Sequence, residues 1–275
     1  MLAKPRITAM VALCAAAGYA LAPGARDGAR FLWTIAGVVL AAASTGCLNQ
    51  VLEAELDGRM KRTRGRPIPG GRVAPAEAHA LGLLWGATGL GLLAWKVNAA
   101  ACGLTAFTLA SYLLVYTPMK RFTPLSTWVG AVPGALPPVI GWVAAGGALG
   151  GRAAALFAIQ FFWQIPHFLA LAWIHRDDYA AAGFRVSTVT DASGLSAARQ
   201  SAAGAIAACL AGVISCRNGA PVYAIAAAAL GALWCALAVR RFWDLSERNA
   251  RSIFAASLAY LPALYALLLA EGAVR

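Results

Sequence analysis

The sequence predicts an all-α membrane protein, a bundle of nine transmembrane helices, and three observations carry that expectation. Of the 275 residues 60% are hydrophobic and only 12% charged, which gives more apolar surface than one water-exposed fold of this length can bury. Apolar runs of about 20 residues, the length a helix needs to cross roughly 30 Å of hydrocarbon, recur along the whole chain. Gly and Ala fill these runs, which suits helices that must approach closely where no hydrophobic effect drives them together.

The expected spans are 7–23, 31–53, 78–95, 98–116, 126–148, 153–174, 198–216, 220–239 and 252–270. The first is short and Ala-rich and follows Lys4 and Arg6, so it reads either as a retained helix or as a cleavable signal sequence. The second ends in polar residues and leads into the longest polar connection, 54–77. Pro133, Pro137 and Pro138 in the fifth span and Pro166 in the sixth mark kinks or cavity linings. The other polar connections of note are 175–197 and 240–251, and function is sought in such loops rather than in the apolar spans. No repeat at a solenoid period is evident, and residues 1–275 are expected to form one domain. The six cysteines are scattered, contain no C-x-x-C pair and fall in apolar runs, so neither a disulfide framework nor a zinc site is expected.

The net charge of +12 would suggest nucleic acid in a soluble protein, but between membrane spans Lys and Arg report topology. With the N-terminus cytoplasmic, one side collects Lys4 and Arg6, the six cations from Arg59 to Arg72, Lys120 and Arg121, Arg176, Arg185 and Arg199, and Arg240, Arg241, Arg248 and Arg251. These make 17 of the 23. Arg26, Arg30, Lys96, Arg152, Arg217 and Arg275 fall on the other side. The bias predicts a multi-pass protein of a bacterial-type inner membrane, surrounded by lipid, with its N-terminus inside, its C-terminus outside and no nucleic-acid partner.

Five of the eleven acidic residues form two clusters at cytoplasmic helix ends: Glu53, Glu55 and Asp57 after the second span, Asp177 and Asp178 after the sixth. Asn49, Glu53 and Asp57 are spaced i, i+4, i+8, so if the second helix runs on they form one polar stripe about 12 Å long. Carboxylates this near lipid are costly unless something cationic joins them. Arg59, Lys61, Arg62, Arg64 and Arg66 follow directly. A diphosphate with Mg2+ fits both sets, because Mg2+ is held by one or two carboxylates plus phosphate oxygens while Lys and Arg take the remaining oxygens. From spacing alone, salt-bridged juxtamembrane charge or a polybasic contact with anionic lipid fits as well.

The stretch NQVLEAELDGRMKRTRGRPIPGGRV, 49–73, resembles the N-x-x-x-D-x-x-x-D motif of the UbiA-type intramembrane prenyltransferases, with Glu53 in place of the middle aspartate. Within that superfamily the chain is similar to the protohaem IX farnesyltransferases, or haem O synthases. The similarity lies in KPRIT at 4–8, MKRTRGRP at 60–67, YTPMKR at 116–121, STWVGAVPGALPPVIGW at 126–142 and WQIPHF at 163–168. It continues through HRDDYAAAG at 175–183 to FWDLSERNARSIFAASLAYLP at 242–262. One departure is that Asp177 and Asp178 both have Ala at +4, where the superfamily often has another aspartate.

The resemblance implies helices ringed around a central cavity, with a polar cytoplasmic mouth and a lipid-side opening for an isoprenoid tail. It implies Mg2+ held by Asn49, Glu53, Asp57, Asp177 and Asp178, with Arg62, Arg66, Lys120 and Arg121 stabilising the departing diphosphate. The implied reaction transfers farnesyl from farnesyl diphosphate to a vinyl group of protohaem IX, and a downstream haem-modifying oxidase is an implied partner. Two alternatives stay open: a prenyltransferase acting on a quinone precursor, and a haem or isoprenoid carrier without chemistry.

Single residues carry paired readings. His167, beside Pro166 and Gln164, is a haem-iron ligand or a histidine hydrogen-bonded inside the bundle. Gln164, Trp163 and Trp173 line an aromatic cavity for a flat ring or a carbocation, or simply pack helices. Lys120 and Arg121, on the loop that begins at Tyr116, pair with diphosphate oxygens or haem propionates, or set topology. His79 and His175 have no second histidine at ligand spacing and are assigned no metal.

Overall fold

The computed structural model describes residues 2–23, 27–216 and 221–273, and among them every regular element is helical. Eight helices are long and apolar enough to cross a membrane: Gly28–Leu52, Pro75–Lys96, Ala99–Met119, Ser126–Ala144, Gly151–Ile174, Leu195–Ser215, Pro221–Arg240 and Glu247–Gly272. Before them stands α1 (Pro5–Leu21), apolar but only 17 residues long. The predicted spans therefore all appear as helices, eight of full length and one shorter. Residue 220, Arg26, Arg217 and Arg275 lie outside the described residues.

In chain order α2 is Gly28–Leu52, α3 Ala54–Arg59 and α4 Pro75–Lys96. The fourth span begins as α5 (Ala99–Ala110), widens into a π-turn over Ser111–Tyr116 and ends as α6 (Thr117–Met119). The fifth is two half-helices, α7 (Ser126–Gly134) and α8 (Pro137–Ala144), because Pro137 lacks the N–H that a continuing helix needs. Next come α9 (Gly151–Ile174), the short α10 (Arg176–Ala181) and α11 (Ser187–Thr190), α12 (Leu195–Ser215), α13 (Pro221–Arg240) and α14 (Glu247–Ala273).

Small residues let backbones touch. A Cβ on Gly18 of α1 would lie 1.8 Å from the Pro138 carbonyl oxygen, and one on Gly141 of α8 would lie 1.8 Å from that of Ala15. Between α2 and α4 the Ser44 hydroxyl donates to the Gly82 carbonyl at 2.7 Å and the Cys47 thiol to that of Ala78 at 3.1 Å. These bonds bridge helices whose own ladders are already complete, so small and polar side chains provide the attraction that lipid does not.

One end of the bundle gathers the polar connections. Gln50 donates to the Leu2 carbonyl at 2.8 Å, joining the N-terminal segment to the end of α2. The Arg185 N–H donates to the Lys120 carbonyl at 2.8 Å, joining the loops after α6 and α10. The Arg241 guanidinium lies 4.3 Å from the Trp173 ring centroid, bringing in the α13–α14 connection. At the opposite end the links are sparser, such as Asn98 to the Val143 carbonyl at 2.8 Å and Arg152 to that of Ser215 at 3.0 Å.

Candidate active site

The first acidic cluster sits where α2 gives way to α3. Glu53 (φ −108°, ψ 13°) leaves the helical region, so the stripe does not lie on one uninterrupted helix as predicted. Its register survives the break, because the Asp57 N–H still donates to the Glu53 carbonyl, at 2.7 Å. Asn49, Glu53 and Asp57 consequently face one place, and all three are buried, at 2%, 5% and 1% exposure.

Each buried polar group meets a cation from another element. The Lys4 ammonium donates to Asn49 Oδ1 at 2.6 Å, Lys120 forms an ion pair with Glu53, and Arg66 Nη1 donates to Asp57 Oδ2 at 2.5 Å. Asn49 Nδ2 donates to Glu53 Oε2 at 2.9 Å and, at 3.4 Å, to the Thr117 hydroxyl, which closes the network. Asp57 Oδ1 is buried without a hydrogen bond. Burial first, and then the neighbouring charges of Arg66 and Lys120, push the Lys4 ammonium down to about 7, against the pull of Glu53 and Asp57. Lys120 and Arg66 already balance the two carboxylates, and Lys4 brings further positive charge that no carboxylate of the cluster is left to match.

The π-turn supplies the wall beside this cluster. Tyr116 packs on Tyr112 with centroids 5.0 Å apart, and the Lys120 ammonium lies 5.0 Å from the Tyr116 centroid and 5.3 Å from that of Phe184. Gly130 of α7 makes room for the ring, since a Cβ there would come within 2.4 Å of it. Arg121, one residue on, is exposed and outside the cluster, as is Arg62.

The two residues of the second acidic pair make different contacts. Asp178 accepts from the backbone N–H groups of Lys61 at 3.1 Å and Arg62 at 3.2 Å, so it fastens α10 to the loop after α3. Asp177 is fully exposed, and its one ion pair is with its neighbour Arg176 at 3.9 Å. Among the described residues no three acids, histidines or cysteines form a metal-binding group. The donors that suit a hard cation are those of the first cluster: the Asn49 amide oxygen, the Glu53 carboxylate and the unused Asp57 Oδ1. They fit Mg2+ completed by oxygens from a second anion.

A profile of the UbiA prenyltransferase family matches residues 11–267. The chain belongs to that family. It is 41% identical to a protoheme IX farnesyltransferase from Solibacter usitatus, over 98% of this chain and 97% of the relative. It is 39% identical to one from an Anaeromyxobacter species, over 98% and 91%. Its fold matches a UbiA homologue from Archaeoglobus fulgidus bound to GPP and Mg2+, with a TM-score of 0.74 at 15% identity, over 99% of this chain and 97% of that one.

In this UbiA-family chain the remaining polar residues lie along α9. His167 is buried between the Trp163 and Phe254 rings, each centroid 4.8 Å away, and its Nδ1 lies 2.7 Å from the Ser257 hydroxyl oxygen. Trp163 Nε1 donates to the Ser257 carbonyl at 2.8 Å. Gln164 donates to the carbonyls of Gln160 at 3.0 Å and Ala131 at 3.3 Å, tying α7 to α9. Trp173 is covered by the guanidiniums of Arg176 and Arg241. Lys4, Thr117 and Ser257 were not singled out as site residues by sequence reasoning. Lys4 had a signal, as the head of KPRIT, but a lysine before an apolar run also reads as a topology marker.

Proposed function

We propose that residues 1–275 act as one prenyltransferase domain that transfers farnesyl from farnesyl diphosphate to a vinyl group of protohaem IX, giving haem O and diphosphate. The observation that carries the acceptor is the near-full-length identity to protoheme IX farnesyltransferases. The buried cluster of Asn49, Glu53 and Asp57 facing Lys4, Arg66 and Lys120 supports the donor.

On this reading a diphosphate supplies the negative charge that the cluster lacks. Glu53, Asp57 and the Asn49 amide oxygen would hold Mg2+, which would add positive charge against the leaving group. Lys120 and Arg66 then turn from the carboxylates toward diphosphate oxygens, while Lys4 keeps Asn49 in place. The C1–O bond of farnesyl diphosphate breaks and its electron pair leaves with the diphosphate. The vinyl π pair forms the new carbon–carbon bond, and water adds to the resulting cation, which loses a proton and leaves a hydroxyl. Tyr116 and Tyr112 present ring faces that favour the transient positive charge. Gln164 and His167 border the acceptor, and His167 Nε2, left free by the Nδ1–Ser257 contact, is the atom that would reach haem iron. Asp177 and Asp178 are left out of the metal set.

The same reading places the chain in a bacterial-type inner membrane, with the cation-rich end and the N-terminus in the cytoplasm and the C-terminus opposite. A haem-modifying oxidase would consume the product. The test is purified protein given protohaem, farnesyl diphosphate and Mg2+, with product mass and released diphosphate measured, and chelation expected to stop both. Diphosphate release only with an aromatic acid acceptor would replace haem by a quinone precursor. Saturable binding of both ligands without product would favour a carrier.

A further inference from the structure

The imidazole of His167 on α9 has its plane set by aromatic rings and its edge set by one hydroxyl. The Trp163 and Phe254 rings stack on it, at 26° and 29° to its plane, and Phe168 meets it edge-on with centroids 5.4 Å apart. None of these gives the imidazole a hydrogen bond, because the one polar side-chain atom among them, Trp163 Nε1, donates instead to the Ser257 carbonyl at 2.8 Å. Among the described residues the ring's one hydrogen-bond partner is the Ser257 hydroxyl of α14, whose oxygen lies 2.7 Å from Nδ1.

The direction of that bond follows from where the hydroxyl hydrogen goes. A serine hydroxyl has a single hydrogen to donate, and the Ser257 oxygen also lies 2.6 Å from the Phe254 carbonyl oxygen, which can only accept. Were the hydrogen turned toward Nδ1, two oxygen lone pairs would face each other across that short gap at a fully buried residue. With the hydrogen on the Phe254 carbonyl, Ser257 is left to accept and Nδ1 must bring the proton. A second hydrogen on Nε2 would then be a buried donor without a protein acceptor.

We propose that Ser257 is a positioning residue that fixes His167 as the tautomer protonated on Nδ1, so that Nε2 is presented as a bare lone pair. Such an atom takes an electron-poor partner, a metal centre or the hydrogen of an O–H or N–H group, and rejects a group that can only accept. Histidines that hold a metal are commonly oriented in this way, by an acceptor on the other ring nitrogen. The use of the lone pair in turnover rests on the reading that His167 borders the acceptor, whereas the tautomer itself does not. The device joins α9 to α14 and shares no residue with Asn49, Glu53, Asp57 or their cations. Residue 257 also keeps its tie to Trp163 whatever its side chain, since that bond goes to the backbone. Removing the hydroxyl therefore separates the tautomer from the packing of the two helices.

The test reads the tautomer directly, by nitrogen NMR of the ligand-free protein carrying isotope-labelled histidine, with the His167 signals identified by their loss in His167→Gln. Wild type is expected to show a protonated Nδ1 and a bare Nε2. Ser257→Ala should lose that state in favour of a protonated Nε2, and Ser257→Thr, which keeps the hydroxyl, should regain it. A protonated Nε2 in wild type, or an unchanged ring in Ser257→Ala, would overturn the proposal. In turnover of protohaem, Ser257→Ala should lower kcat by tenfold to about a hundredfold and Ser257→Thr should recover most of the loss, while KM for farnesyl diphosphate stays within about twofold in both. A changed tautomer with unchanged kcat would overturn the role of Ser257 in turnover. No turnover at all in wild type would sink the functional reading and leave the tautomer result standing.

Discussion

Two acidic clusters that look alike in sequence, Glu53-x-x-x-Asp57 and Asp177-Asp178, are used in opposite ways. The first is buried, each carboxylate is matched by a cation, Lys120 from a distant loop and Arg66 from the adjoining one, and one oxygen is left without a partner. The second stands at the surface, where Asp178 is spent on backbone N–H groups and Asp177 on nothing but a neighbouring arginine. Burial makes the difference. A carboxylate held out of water has a large interaction energy with whatever cation arrives, whereas an exposed one is screened and interchangeable. On the proposed reading the first cluster carries the charge chemistry and the second positions a loop.

The sharpest way to break that assignment is to neutralise the first cluster. Asp57→Asn and Glu53→Gln are each expected to lower kcat/KM by about a hundredfold or more, since an electrostatic stabiliser of the leaving group is lost. Both proteins should still purify as folded monodisperse species. Near-normal turnover in both would move the chemistry elsewhere.

Lys120 and Arg121 sharpen the comparison from the cationic side. Lys120→Gln is expected to reduce kcat/KM by tenfold to about a hundredfold, and to lower Tm as well, because Glu53 is left buried without its counter-charge. Arg121→Gln, at an exposed position, should change either quantity by less than about twofold. Equal losses in the two variants would mean that loop charge as a whole, not the Lys120–Glu53 contact, is what matters.

Much of this was legible in the sequence. Apolar run length located the eight helices long enough to span, and i, i+4 spacing brought Asn49, Glu53 and Asp57 to one face, because both follow from local helical geometry. The cation partners were only partly legible. Arg66 and Lys120 were named as candidates, but nothing local says that Lys120 points in while Arg121 points out, or that Lys4 reaches Asn49 from 45 residues away. The π-turn at Ser111–Tyr116 had one local signal that was not used, Pro118, whose missing N–H interrupts the ladder just after it. The role of Asp178 was not legible, because its partners are backbone groups of another loop, 116 and 117 residues away.

Asp178 therefore offers a moderate effect with a distinctive form. Asp178→Ala is expected to cost roughly tenfold in kcat/KM, the scale of losing charge-assisted bonds that hold the Lys61–Arg62 turn. Asp178→Asn, whose single amide oxygen still accepts, should fall between. The Mg2+ concentration giving half the maximal rate should be unchanged in both, whereas Glu53→Gln should raise it. A raised Mg2+ requirement in Asp178→Asn would return this aspartate to the metal set.

The smallest effect is expected at the adjacent residue, and it tests the comparison where sequence resemblance is most insistent. Asp177 shares the motif, the helix end and the charge of Asp178, yet its side chain lies in solvent with only Arg176 beside it at 3.9 Å. A solvated carboxylate whose ion pair is this open contributes little to stability or to a distant charge, because water and salt screen it. Asp177→Asn should leave kcat/KM, Tm and the Mg2+ requirement within about twofold of wild type. Adjacent residues on a helix point about 100° apart, so α10 cannot turn Asp177 toward the buried cluster without withdrawing Asp178 from the Lys61 and Arg62 N–H groups. A large loss of turnover in Asp177→Asn, with its Tm intact, would mean that α10 makes this turn when substrate binds. In that state the two clusters would act together and the contrast between them would belong only to the empty enzyme.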